Sequence, residues 1–128
     1  MAFQLQHLDH VAISVRDMDR AVEWYKDTLG LEKRSTWDGE PVMMCAGETC
    51  LALFSVDGPG IEMTEVQRNG HLTVRHIAFR VDRANFERAQ AEFRKRGIAC
   101  RFADHGVCHS IYINDPDGHT IELTTYEV

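Results

Sequence analysis

The apolar and polar positions of this chain fall into one pattern used twice. Residues 9–15 read DHVAISV and residues 75–81 read RHIAFRV. Each run sets a His second, then a β-branched residue, Ala, an apolar residue, a polar one and Val. That alternation has the period of a β-strand. Recurrence at about half the chain length points to a duplicated unit. Behind each strand an Asp suited to helix capping, Asp17 or Asp82, precedes MDRAVEWYKDTLGL or RANFERAQAEFRKRGI. Ala21, Tyr25 and Leu29, with Val22 beside them, recur at helical spacing, and so do Phe86, Ala89 and Phe93. Each set makes one apolar stripe opposite charged residues. Gly30 and Gly97 stand where a helix should end. The stripe aromatics Tyr25, Phe86 and Phe93 are therefore expected in the core.

Three short strand-like runs follow each helix. They cover about 31–37, 41–46 and 49–56 in the first half, and about 98–103, 109–114 and 119–125 in the second. Asp38-Gly39, Gly47, Gly106 and Asp115-Pro116-Asp117-Gly118 supply the turns between them. Each half thus reads as a βαβββ module, and the class expected is α+β. Module one spans about 5–56 and module two about 74–126. A linker or loop at about 57–73, DGPGIEMTEVQRNGHLT, joins them within a single domain.

Composition narrows the function more than the fold. The 128 residues, 44% hydrophobic and 27% charged, are ordinary for a globular domain with a core. A net charge of −6 excludes the basic footprint that a nucleic-acid or anionic-membrane partner needs. No apolar run approaches the roughly 20 residues of a membrane span. The start, MAFQLQHLDH, has neither a basic nor an apolar signal region, so no signal peptide is expected. Cys45, Cys50, Cys100 and Cys108 form no CxxC pair. They are expected to be reduced thiols in a cytoplasmic protein.

Alternation then sorts the polar side chains by face. His10, Ala12 and Ser14 point one way, Val11, Ile13 and Val15 the other. His76, Ala78 and Arg80 oppose Ile77, Phe79 and Val81 in the same manner. The branched and aromatic face should meet the helix, so both histidines face away from it, each with an Ala two residues on. In the last strand Thr120, Glu122 and Thr124 share that outer face. A carboxylate between Ile121 and Leu123 is costly unless partnered. A divalent ion held by His10, His76 and Glu122 would partner it. Two imidazoles and one carboxylate suit Fe(II) or Mn(II) first, and Zn(II) or Ni(II) can also use such a set. Two histidines at equivalent places of a repeat make this more than coincidence.

At these residues the chain resembles the vicinal oxygen chelate superfamily, which includes glyoxalase I, type I extradiol dioxygenases, fosfomycin-modifying thiol transferases and bleomycin-binding proteins. The resemblance runs through LDHVAISVRDMDRAVEWYKDTLGL, RHIAFRV and SIYINDPDGHTIEL, and so covers nearly the whole chain. It implies paired βαβββ modules forming a glyoxalase-like open barrel around a metal site. Three of the four family ligand positions transfer, to His10, His76 and Glu122. Aligning CLALF with TIELT puts Ala52 at the fourth, which departs from glyoxalase I. The resemblance also implies roles for Tyr112, as the hydroxyl that holds a metal-bound substrate oxygen, and for His105, as an acid/base group. Thr49 stands where dioxygenases carry a second such His. Ala12 stands where the thiol transferases carry a phosphonate-binding Thr.

The function expected is a metal-dependent, dioxygenase-like enzyme acting on a small, aromatic or other organic substrate chelated through adjacent oxygens. A glyoxalase-like lyase, isomerase or epimerase is the alternative. A metal-free antibiotic-binding resistance protein is the third reading. A homodimer is expected, with sites either within one chain or shared between subunits. The remaining candidates read as structural. His109 should point with Ile111, away from Tyr112, and His119 should be out of phase with Glu122. His7 before the first strand and His71 in the linker are ambiguous, and Glu48 and Glu62 read as solvated loop charges. Trp24 and Trp37 read as core or interface residues. Arg80 shares the His76 face and could reach an anionic substrate group, and Cys50 and Cys108 could approach the pocket.

Overall fold

A computed structural model describes residues 2–35, 37–56 and 74–128. The expected linker at 57–73, with Glu62 and His71, lies outside the described residues. The chain divides between residues 62 and 63 into two compact units.

In the first unit β1 (His10–Val15) leads into α1 (Met18–Leu29), then β2 (Glu32–Lys33), β3 (Val42–Ala46) and β4 (Thr49–Ser55). The sheet order is β1-β4-β3-β2, with β1 parallel to β4 and the other pairs antiparallel. In the second unit β5 (Ile77–Arg80) leads into α2 (Arg83–Arg96), then β6 (Arg101–Asp104), β7 (His109–Asn114) and β8 (Thr120–Thr125). Its order, β5-β8-β7-β6, and its strand directions repeat the first. The α+β reading as two βαβββ modules therefore stands, each module being an open four-stranded sheet with one helix.

Local chemistry sets the helix ends. The Asp17 carboxylate accepts from the Arg20 amide at 3.1 Å, and Asp82 from the Asn85 amide at 2.8 Å. Gly30 and Gly97 both end their helices at φ 69°, a left-handed conformation open to glycine at little cost. The next residue then folds back: the amide of Leu31 donates to the Tyr25 carbonyl at 3.1 Å, and that of Ile98 to Phe93 at 2.8 Å. That closure delays the strands. It is why β2 begins at Glu32 and β6 at Arg101, rather than at Leu31 and Ile98; β2 spans two residues. Tyr25, Phe86 and Phe93 are buried with Val15, Met44, Leu51 and Leu53 or with Ile111, Ile113 and Ile121. The apolar stripes thus fill the space between each helix and its sheet.

One expectation fails. Cys45 and Cys50 form a disulfide rather than remaining reduced. Their CAGETC spacing matches no motif, but the β3–β4 register makes them direct cross-strand partners with Cα atoms 4.0 Å apart. Cys100 and Cys108 are free thiols. The disulfide removes the thiol argument for a cytoplasmic location. Among the described residues no helix is long and apolar enough to cross a membrane.

Candidate functional site

Strand register builds the second module's polar row. Ala78 on β5, Glu122 on β8, Tyr112 on β7 and Arg101 on β6 are successive cross-strand partners. Partners in register project to the same face. Ala78 leaves space beside Glu122, and Tyr112 flanks it on the other side. His76 stands one residue before β5 rather than within it. Its Nε2 lies 3.7 Å from Glu122 Oε1, and its ring meets the Tyr112 ring edge-on at 5.9 Å. Glu122 is 8% exposed. Among the described residues its one ion-pair partner is His76.

A hydrogen-bonded line extends this row. The Tyr112 hydroxyl lies against the Glu122 carboxylate, and His105 Nε2 is 3.1 Å from the same hydroxyl oxygen. The phenol has a single proton. Given to Glu122, it leaves the oxygen to accept from His105. Donation to Glu122 is the main reason the Tyr112 pKa stands above the usual phenol value. Desolvation and the Glu122 charge add to the rise, while the Ser110 hydroxyl and the Arg101 guanidinium oppose it.

The first module carries the same skeleton with different side chains. Ala12, Ala52 and Met43 are the successive partners there, and the Arg34 amide donates to the Met43 carbonyl at 2.9 Å. Ala52 thus occupies the skeletal place of Glu122, as the alignment of CLALF with TIELT expects, and Met43 that of Tyr112. His10 opens β1 on the exposed side, and its Nδ1 lies 2.7 Å from Asp9 Oδ2. A carboxylate on Nδ1 holds that proton and leaves the Nε2 lone pair outward, the arrangement that metal-binding imidazoles use.

His76 and Glu122 stand at a spacing that a divalent ion can bridge. Two atoms each about 2.0–2.2 Å from a common ion stand about 3–4 Å apart, and His76 Nε2 and Glu122 Oε1 satisfy this. The Glu122 carboxylate has imidazole and phenol neighbours and no Lys or Arg ion pair among the described residues. Among the described residues no three His, Cys, Asp or Glu side chains are gathered closely enough to hold a metal ion.

The remaining candidates take structural places. His109 packs on Phe102 at 5.3 Å between Arg83 and Asp104, away from Tyr112. His7 sits 3.6 Å from Glu48 on the surface. The Asp115 carboxylate accepts from the amides of Asp117 and His119 and so shapes the turn before β8. Trp37 is half exposed rather than core, its Nε1 donating to the Pro41 carbonyl at 3.0 Å. Cys50 is held by Cys45, and Cys108 is buried. Desolvation pushes the Cys100 thiol up against the pull of Arg94, so it is not an activated nucleophile. Arg80 stacks on Tyr126 at 4.6 Å.

Two contributors escaped the strand-by-strand reading. Asp9 precedes β1 and orients His10. Arg101 stacks on the Tyr112 ring at 4.4 Å. The short turn HGVC carries the signal for the second, since pairing across it sets Arg101 opposite Tyr112.

Comparison with known proteins agrees with this fold. The family model described as the Glyoxalase/Bleomycin resistance protein/Dioxygenase superfamily matches residues 7–123. The catechol-2,3-dioxygenase of Bacillus subtilis is 25% identical over 91% of this chain, which spans only 40% of that protein. The glutathione transferase FosA of Serratia marcescens is 28% identical over 93% of this chain and 80% of its own length. The crystal structure of a lactoylglutathione lyase from Agrobacterium tumefaciens superposes with a TM-score of 0.73 at 21% identity, covering 96% of each chain. The sequence relatives and the superposed structure thus carry names of three different activities.

Proposed function

This chain belongs to the Glyoxalase/Bleomycin resistance protein/Dioxygenase superfamily, and on that premise we propose that it is a metal-dependent, dioxygenase-like enzyme. His10, His76 and Glu122 would hold one Fe(II) or Mn(II) ion. The observation that carries this reading is the row Ala78–Glu122–Tyr112, with His76 3.7 Å from the carboxylate and His105 3.1 Å from the phenol. The chemistry such an ion supplies is Lewis acidity toward two adjacent substrate oxygens.

The protein's own groups do the rest. Tyr112, relieved of its bond to Glu122, donates its proton to a substrate oxygen and fixes the substrate's orientation. His105, in contact with the same phenol oxygen, supplies or removes a proton there. Ala12, Ala52 and Ala78 are small enough to admit a flat substrate, and Phe54 adds an apolar wall. Ala52 weighs against the lyase or isomerase reading, because the second carboxylate of a proton shuttle is missing. The metal-free binding reading makes no use of the carboxylate, imidazole and phenol that meet in module two.

The assembly proposed is a homodimer whose site draws His10 from one module and His76 with Glu122 from another, in the same chain or in the partner. Mixing His10→Ala with Glu122→Ala chains separates the two cases. Metal binding regained in the mixture means shared sites, and no recovery means sites within one chain. The reaction is tested by anaerobic loading with Fe(II), then catechols and air. Oxygen uptake with a yellow ring-opened product is expected, reduced about 100-fold in Tyr112→Phe. No uptake across mono- and bicyclic catechols would sink the dioxygenase reading.

A further inference from the structure

The second module carries an open recess of about 400 Å³ beside Tyr112, lined by Ala99, Arg101, Tyr112, Asn114 and Thr120. This volume suits part of a small ligand. We propose that it is a carboxylate subsite read by Arg101, so that the substrate is a hydroxylated aromatic acid rather than a neutral catechol. The inference rests on the metal-chelation reading for the substrate's other end, but the subsite itself stands on the recess alone.

The state of Arg101 carries the argument. Its guanidinium lies 4.4 Å from the centre of the Tyr112 ring and has no carboxylate partner among the described residues. Stacking on an aromatic face fixes the guanidinium while leaving its N–H edge open, ready for two parallel bonds to a carboxylate. The first module supplies an internal control. Arg34 holds the equivalent place, beside Met43, but donates to the Gly47 carbonyl and lies 3.4 Å from Glu32 Oε2. The same skeletal position thus holds an occupied arginine in one module and an open one in the other.

The neighbours suit an anion. Thr120 donates to Asn114 Oδ1 at 3.2 Å, which fixes the amide and leaves its two N–H donors outside that bond. Arg101 and Glu122 flank Tyr112 on one row, two strand spacings or about 9.6 Å apart along the sheet. A carboxylate at Arg101 and two hydroxyls near Glu122 match an aromatic ring bearing those groups at opposite ends.

The test uses metal-free, ¹⁵N-labelled full-length protein and the arginine Nε–H resonances. Benzoate should shift the Arg101 signal saturably, whereas neutral benzamide should not. Arg101→Gln should weaken benzoate binding at least about tenfold, the weight of a charge-assisted bond, while Arg34→Gln leaves it unchanged. No saturable shift at Arg101, or equal binding by Arg101→Gln, would overturn the subsite. A second arm loads the protein with redox-inert Zn(II) and compares 3,4-dihydroxybenzoate with benzoate by calorimetry without oxygen. Tighter binding of the dihydroxy acid joins the subsite to the metal site. Equal affinity refutes the chelation reading and leaves the carboxylate subsite standing.

Discussion

The two modules share strand order, helix caps and register, yet their central rows differ at the two middle positions, where only module two has a carboxylate and a phenol. Module two has Ala78–Glu122–Tyr112–Arg101 where module one has Ala12–Ala52–Met43 and Arg34. One row out, beside His76 in module two and His10 in module one, module two pairs Thr120 with Asn114 by a hydrogen bond. Module one joins the equivalent Cys50 and Cys45 by a disulfide. The backbone is set by alternation, stripes and caps, which both copies keep. Chemistry is added on the face that the helix does not use, and there the copies are free to diverge. Module one keeps one imidazole and otherwise offers small or apolar side chains. Module two holds the carboxylate, the phenol and two imidazoles.

The severest way to break this division is to put the missing acid back. Ala52 is 1% exposed. Ala52→Glu buries a carboxylate with no partner and should cost the metal-free protein about 3–5 kcal/mol in urea denaturation. Added Mn(II) should recover part of that loss if position 52 faces the ion. A loss that Mn(II) leaves untouched would place Ala52 outside the site.

Next comes the contrast between covalent and hydrogen-bonded links. Removing the disulfide with Cys45→Ser and Cys50→Ser should cost about 2 kcal/mol, since the loop it closes is short. Thr120→Val should cost about 1 kcal/mol. Equal unfolding midpoints for wild type and the double variant would mean that the link contributes nothing.

The smallest effect sharpens the electrostatics of module two. The Tyr112 phenol, raised chiefly by its bond to Glu122, should ionise above the usual phenol range near pH 10 in the metal-free protein. Its contribution to stability is complete below the unfolded value and disappears as pH rises through the folded one. Absorbance titration at high pH, with Tyr112→Phe as the difference, should show the step. Glu122→Gln should move it down.

Much of this was legible in the residues themselves. DHVAISV and RHIAFRV disclose the duplication, Asp17, Asp82, Gly30 and Gly97 frame the helices, and period-two alternation sets both histidines and Glu122 on outward faces. The missing parts depend on pairing between strands. Cys45 and Cys50 meet only because the β3–β4 hairpin turns at Gly47, whose φ is 58°. Arg101 reaches Tyr112 only through the β6–β7 register, and the start of β2 follows from the closure after Gly30. Such contacts carry no local motif, so a strand read by itself does not disclose them.

The most direct measurement of the central claim is the metal content of protein purified without chelator. The account predicts about one divalent ion per chain, lost in His10→Ala, His76→Ala and Glu122→Ala and kept in Met43→Ala. Full metal content in His76→Ala or Glu122→Ala would contradict it.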